Sequence, residues 1–179
     1  MSIETLALQG RDRIHCGLAA VESDRLRQMR DAALRACFTR MEDAAGRMEY
    51  VARIHGMEYI NDAAARSVNA TWYSLRHLEG GVVWIAFGGD SQADYRQLCQ
   101  PALCKVRMLV CVGSDNSHLH QAFHEAVPII RDADSIADAV HIASSSGLEG
   151  AKVLFSPATR HGLSDDTASR LFRHEVNEL

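Results

Sequence analysis

Tyr59-Ile60-Asn61-Asp62-Ala63-Ala64-Ala65-Arg66-Ser67-Val68-Asn69-Ala70-Thr71 is the stretch whose reading decides the fold. It leaves an apolar strand, Met57 to Ile60, crosses a polar turn and enters a helix that carries Trp72 and Leu75. Backbone N–H groups and the positive end of a helix dipole converge where a strand end meets a helix N-terminus. Such a turn is a natural place for an anion or a phosphate. It normally adds a basic or hydroxyl side chain, yet this one holds three consecutive alanines. It has the frame of a ligand site with most of the chemistry missing.

Downstream of that turn, two periodicities alternate. A helix over about Ser67 to Leu78 stops at Gly80-Gly81, and Val82 to Phe87 is a continuous apolar run of the kind buried on both faces of a parallel sheet. A helix with Tyr95, Leu98 and Leu103 follows, then a second buried strand, Val106 to Val112, ended by Gly113. Asn116 to Glu125 reads as a helix and Val127 to Ile130 as a short strand. Ser135 caps a helix carrying Ile136, Ala139, Val140 and Ala143; Lys152 to Phe155 is the last strand, and Leu171, Phe172 and Val176 mark a C-terminal helix. Upstream, Met48 to Ile54 and Met57 to Ile60 flank His55-Gly56 as a hairpin, and a helix is expected from about 24 to 41. Strands alternating with helices in this way predict a mostly parallel sheet with helices on both faces.

Ligands of such sheets sit beyond the carboxyl ends of the strands. Those ends are Asn61-Asp62, Gly88-Gly89-Asp90, Gly113-Ser114-Asp115 and Ser156-Pro157-Ala158-Thr159, and two or more are expected to share one crevice. Asn61, Gly88, Gly89, Asp90 and Ser156 are its expected lining. The same residue types also make ordinary turns and caps.

Composition narrows the classes. The 179 residues suit one domain, or one with an appendage, and 47% hydrophobic with 23% charged residues is ordinary for a globular protein. A net charge of −4 gives no basic surface for nucleic acid. No apolar run reaches the ~20 residues of a membrane span and no signal peptide is visible, so a cytoplasmic location is expected. Five irregularly spaced cysteines read as reduced thiols. Cys99, Cys104 and Cys111 fit no zinc spacing. His120 and His124 stand at i, i+4 and can ligate zinc with His118 or Glu125, but a solvated polar face is the simpler reading, and no metal site is expected.

In order along the chain, five segments resemble the Mur ligase family. Leu6-Ala7-Leu8-Gln9-Gly10-Arg11-Asp12-Arg13 stands where the family has Gly-Lys-His-Asn near the end of its central domain. Gly46-Arg47-Met48-Glu49 resembles its His-Arg-x-Glu, and the opening stretch its Asn-Asp-Ser-Lys-Ala-Thr-Asn. Phe87-Gly88-Gly89-Asp90-Ser91-Gln92-Ala93-Asp94-Tyr95 resembles Gly-Gly-x-Asp-Lys-Gly-x-Asp-Tyr, and Leu154-Phe155-Ser156-Pro157-Ala158-Thr159 resembles Leu-Leu-Ser-Pro-Ala-Cys. The match is to the family's C-terminal domain, in its D-glutamate-adding branch. It implies a three-layer, Rossmann-like α/β sandwich with a mainly parallel, mixed sheet. A helical segment over 1–44 would precede the C-terminal-type domain over 45–179.

The resemblance also implies ATP or ADP as cofactor, with Arg47 and Asp62 at the nucleotide. The family's other anchors are replaced: its lysine in the opening stretch is Ala64, its threonine Arg66, the amino-acid-gripping lysine Ser91, and a downstream serine His161. No Gly-x-x-x-x-Gly-Lys-Ser/Thr loop is present, so the chain by itself cannot hold Mg²⁺ and a γ-phosphate in the way phosphoryl transfer needs. The expectation is a stand-alone, degenerate domain, related to peptidoglycan-precursor ligases. It would be non-catalytic and serve as a nucleotide- or partner-binding accessory module. The alternative is the C-terminal subunit of a split, ATP-dependent D-glutamate-adding ligase, active only with a P-loop chain. Leu26, Met29, Cys37 and Phe38 need cover, so a homodimer or a Mur ligase-type partner is expected through the 1–44 segment.

Overall fold

A computed structural model describes residues 46–89 and 92–179, all within the unit Ala44–Leu179. The 1–44 segment, with its expected helix and partner surface, lies outside the described residues, as do Asp90 and Ser91.

Six strands form one sheet in the order β1-β2-β6-β3-β4-β5. They are β1 (Glu49–Ile54), β2 (Met57–Asn61), β3 (Val82–Phe87), β4 (Val106–Val112), β5 (Ile130–Ala133) and β6 (Lys152–Phe155). The β1–β2 pair is antiparallel; every other pairing is parallel. The hairpin at His55-Gly56 has positive φ at both residues, 48° and 78°, the geometry of a two-residue turn that matches strand twist.

Five helices pack on the sheet among the described residues: α1 (Val68–His77), α2 (Arg96–Lys105), α3 (Ser117–Phe123), α4 (Ile136–Ser144) and α5 (Asp165–Asn177). Because strand side chains alternate, β3 serves two cores at once. Val83 and Ile85 join Val110 of β4, Ala139 and Val140 of α4, and Phe172 and Val176 of α5. Trp84 and Ala86 join Leu109, Leu75 of α1, Leu98 of α2, and Leu119 and Phe123 of α3. The architecture is thus the expected three-layer α/β sandwich on a mixed, mainly parallel sheet. Trp84 is wholly buried; its ring meets Phe123 edge-on at 5.2 Å and its Nε1 donates to the Ser156 carbonyl at 2.8 Å, so neither its area nor its N–H is left unmatched.

Two elements depart from the periodicity. The fifth strand is Ile130–Ala133 rather than Val127 to Ile130. Pro128 has no N–H to give a ladder, and Val127 is instead buried beneath the end of α3. The strand that forms pairs only with β4, so Arg131 and Asp132 are tolerated on an exposed edge. In α2 the buried face carries Leu98, Pro101 and Ala102, whereas Leu103 is 65% exposed.

The loop after β3 runs to α2 on one face, and the loop after β6 runs to α5 on the other. Neighbouring strands whose connections diverge open a crevice at their carboxyl ends.

Candidate functional site

Asp62 directly follows β2, is fully buried, and is the hub of a hydrogen-bonded cluster at the strand ends. Its Oδ1 accepts from Arg47 Nη1 at 3.0 Å and from the Met48 backbone N–H at 3.3 Å. Its Oδ2 accepts from Ser74 Oγ of α1 at 2.6 Å and from Ser156 Oγ at 3.0 Å. Ser156 also lies 2.8 Å from Thr71 Oγ1. Burial pushes the Asp62 carboxyl up to about 6, against the opposing pull of Arg47 and the three hydrogen bonds. The two residues expected at a nucleotide are therefore turned toward each other. Arg47 is itself only 4% exposed.

The opening turn is closed in the same manner. The Asp62 N–H donates to the Phe155 carbonyl, Ala64 to Gly46, Ala65 to Asp62 and Arg66 to Ala64, and the Ala63 N–H reaches Asn61 Oδ1. The expected convergence of free N–H groups is thus absent over 62–66, because the loop spends them on itself and its neighbours. Asn61 Nδ2 donates to Glu49 and to Ser169 of α5, so Asn61 and Ser156 brace the strand ends from below.

The crevice itself is a recess of about 350 Å³ between the ends of β3 and β4 and the loop after β6. Gly88, Gly89, Gly113, Ser114, Arg160 and His161 are among its lining. Gly88 is required there: a Cβ would stand 2.1 Å from Asn116 Oδ1 and 2.6 Å from the Asp115 carbonyl. His161 stacks on Phe87, centroids 4.1 Å apart, and its buried Nε2 has no hydrogen-bond partner. Burial and the Arg66 guanidinium hold the imidazole below its ordinary value, with Asp165 opposing them. Arg66 donates to the His161 carbonyl at 3.3 Å and pairs with Asp165, at the start of α5, at 3.0 Å. It thus ties the turn after β2 to the loop after β6 and the start of α5. Ala64 is half-buried in the same turn.

Both lysines, Lys105 and Lys152, stand at the amino ends of the parallel strands, opposite the recess. Lys152 opens β6 beside Glu58, and Lys105 precedes β4. Lys105 Nζ donates to the carbonyls of Leu75, Arg76 and Leu78, closing the C-terminus of α1. That contact joins residues about thirty positions apart and has no local sequence signal. Ser74 and Thr71 of α1, which meet Asp62 and Ser156, carry no local sequence signal either.

No family model matches the chain. It is similar to curated UDP-N-acetylmuramoylalanine–D-glutamate ligases. That of Porphyromonas gingivalis is 35% identical over 158 residues, 88% of this chain and 35% of that protein. That of Chlorobaculum parvum is 32% identical over 174 residues, 96% of this chain and 37% of that protein. The chain spans little more than a third of the length of these relatives. Among solved structures, the MurF ligase of Thermotoga maritima in complex with ADP aligns with a TM-score of 0.50 at 12% identity, over 75% of this chain and 32% of that one. A bifunctional folylpolyglutamate synthase/dihydrofolate synthase of Yersinia pestis, complexed with AMPPNP and Mn ion, gives 0.53 at 17%, over 76% and 32%. At these identities the structural likeness is one of fold.

A mixed six-stranded α/β/α sandwich with its recess at the strand ends defines a domain of the Mur ligase C-terminal type. The chain belongs to the Mur ligase family, and the relatives named here by sequence are its D-glutamate ligases. No helix among the described residues is long and apolar enough to cross a membrane.

Proposed function

We propose that this domain faces a nucleotide and holds no amino-acid substrate, acting as an accessory module of the D-glutamate ligase type that forms no amide bond alone. The carrying observation is the placement of its lysines. Both lie at the amino ends of the strands, away from the recess at their carboxyl ends, and one caps the end of α1. A site for a dicarboxylate needs fixed cations, and two positions where the family resemblance expects lysine hold Ala64 and Ser91. Arg66, the nearest newcomer, is already paired with Asp165. The recess keeps an exposed Arg160 beside the stacked His161, a lining suited to an adenine nucleotide's phosphates. The Arg47–Asp62 pair does not line the recess; with Ser74 and Ser156 it ties together the segments after β2 and β6.

Calorimetric titration of the full chain with ADP and, separately, with D-glutamate tests this. Saturable ADP binding that weakens at least tenfold in an Arg160→Ala, His161→Ala double variant, with no heat from D-glutamate, is the expected result. Saturable D-glutamate binding, or no ADP binding by a folded protein, overturns it.

A further inference from the structure

We propose that Cys111, His120 and Asp132 form a binding site for a zinc-type divalent cation, separate from the recess that holds His161. One ligand atom from each lies within 4.8 Å of the other two. The three come from different elements of the described fold: β4, α3 and β5. Cys111 and Asp132 are register partners in the parallel β4–β5 ladder, so their side chains leave the same face of the sheet, and α3 brings His120 over them. His120 Nε2 donates to the Asp132 carboxylate at 2.9 Å and 3.1 Å.

The chemistry of the set suits zinc. Thiolate, imidazole and carboxylate are its three usual ligand types, and bonds of about 2.0–2.3 Å in tetrahedral geometry put ligand atoms about 3.3–3.6 Å apart. Ligand atoms within 4.8 Å of one another therefore have to draw closer to share one ion. Asp132 is also held from outside. Asn116 Nδ2 donates to Asp132 Oδ1 at 2.8 Å and to the Cys111 carbonyl at 3.1 Å, so one amide orients the carboxylate and ties it to the cysteine's own strand. An opening of about 310 Å³, lined by Ser114, Ser117, His120, Asp132 and Asp134, reaches two of the three ligands and has room for a water as fourth; Cys111 is fully buried and does not line it.

Cation binding would displace the thiol proton and pin the edge strand β5 to α3 and β4.

Cobalt(II) titration of the full chain, followed by absorbance, tests the site. One cobalt per chain should give the thiolate-to-cobalt charge-transfer band together with the visible bands of tetrahedral cobalt. Cys111→Ser should abolish the first. His120→Gln, which changes a side chain 41% exposed and leaves every thiol in place, should weaken cobalt binding at least tenfold with the far-ultraviolet circular dichroism unchanged. In the wild type, zinc at a hundred times its dissociation constant should raise the unfolding temperature, and in His120→Gln it should not. No charge-transfer band at stoichiometric cobalt overturns the proposal. So does a band that survives Cys111→Ser, which would assign the thiolate to another cysteine.

Discussion

Arg47 Nη1 lies 3.0 Å from Asp62 Oδ1, and their side chains are 1% and 0% exposed. This is a buried ion pair whose carboxylate is also bonded by Ser74 and Ser156, so three segments of the chain meet on one charge. Removing one partner strands the other in a low dielectric, a loss of about 3–5 kcal/mol. Arg47→Leu and Asp62→Asn are each expected to destabilise the domain by that much, and the double variant by clearly less than the sum. Urea unfolding of the four proteins gives the coupling. Losses that add to within a few tenths of a kcal/mol would show the pair to be uncoupled.

Asp62 also sets a pH dependence. Its carboxyl is raised by burial from 3.8 to about 6 in the folded chain. The folded state therefore binds a proton that the unfolded state releases, and the linked stability is fully present below about 3.8 and lost as pH rises through 6. His161, held below its ordinary value, works in the opposite direction, so the comparison has to be made against a variant. Relative to Asp62→Asn, wild-type stability should fall as pH is raised from 4.5 to 7. A flat difference between the two urea midpoints over that range would exclude the raised carboxyl.

Much of the fold was legible because β3 and β4 are unbroken apolar runs and Ser67 and Ser135 are local caps whose hydroxyls accept from the N–H groups of Ala70 and Asp138. β5 was misplaced because Val127 to Ile130 has the apolar content of a strand, while the ladder selects Ile130–Ala133, free of proline. Leu103 marks the helix by its apolar character, but Ala102 is the residue at i, i+4 from Leu98 and is the one covered. The site was half legible. Asp62 and the Gly88-Gly89 turn stand out in sequence, but whether Asp62 meets a ligand or Arg47 depends on contacts from α1 and β6 that no local spacing records.

The two glycines after β3 should differ sharply. An alanine at Gly88 would meet the Asp115 carbonyl and Asn116 Oδ1 inside van der Waals distance, and the backbone atom cannot give way. Gly88→Ala is expected to cost about 2–4 kcal/mol. Gly89 has open space around its Cβ position but a φ of +85°, so Gly89→Ala should cost only the left-handed penalty, about 1–2 kcal/mol. Thermal unfolding of both ranks them; equal losses would mean that the Asn116 contact does not confine Gly88.

Lys105 ends α2 and caps α1, which couples two neighbouring helices through one ammonium. Its Nζ donates to three carbonyls at 2.9, 2.7 and 2.6 Å, at the end of a helix where orphan acceptors and the negative end of the dipole both favour a cation. The site is only partly covered, so Lys105→Met should lose about 1–2 kcal/mol rather than the full value of three charged hydrogen bonds. Lys105→Arg should fall between, because a planar guanidinium matches three converging carbonyls less well than a rotating ammonium. Urea unfolding measures the loss, and hydrogen exchange locates it. The amides of Leu75 to Leu78 should exchange faster in Lys105→Met, while those of β3 change only with global stability. A variant within a few tenths of a kcal/mol of wild type, with exchange unchanged at the end of α1, would show that the carbonyls are satisfied by solvent and that Lys105 caps nothing.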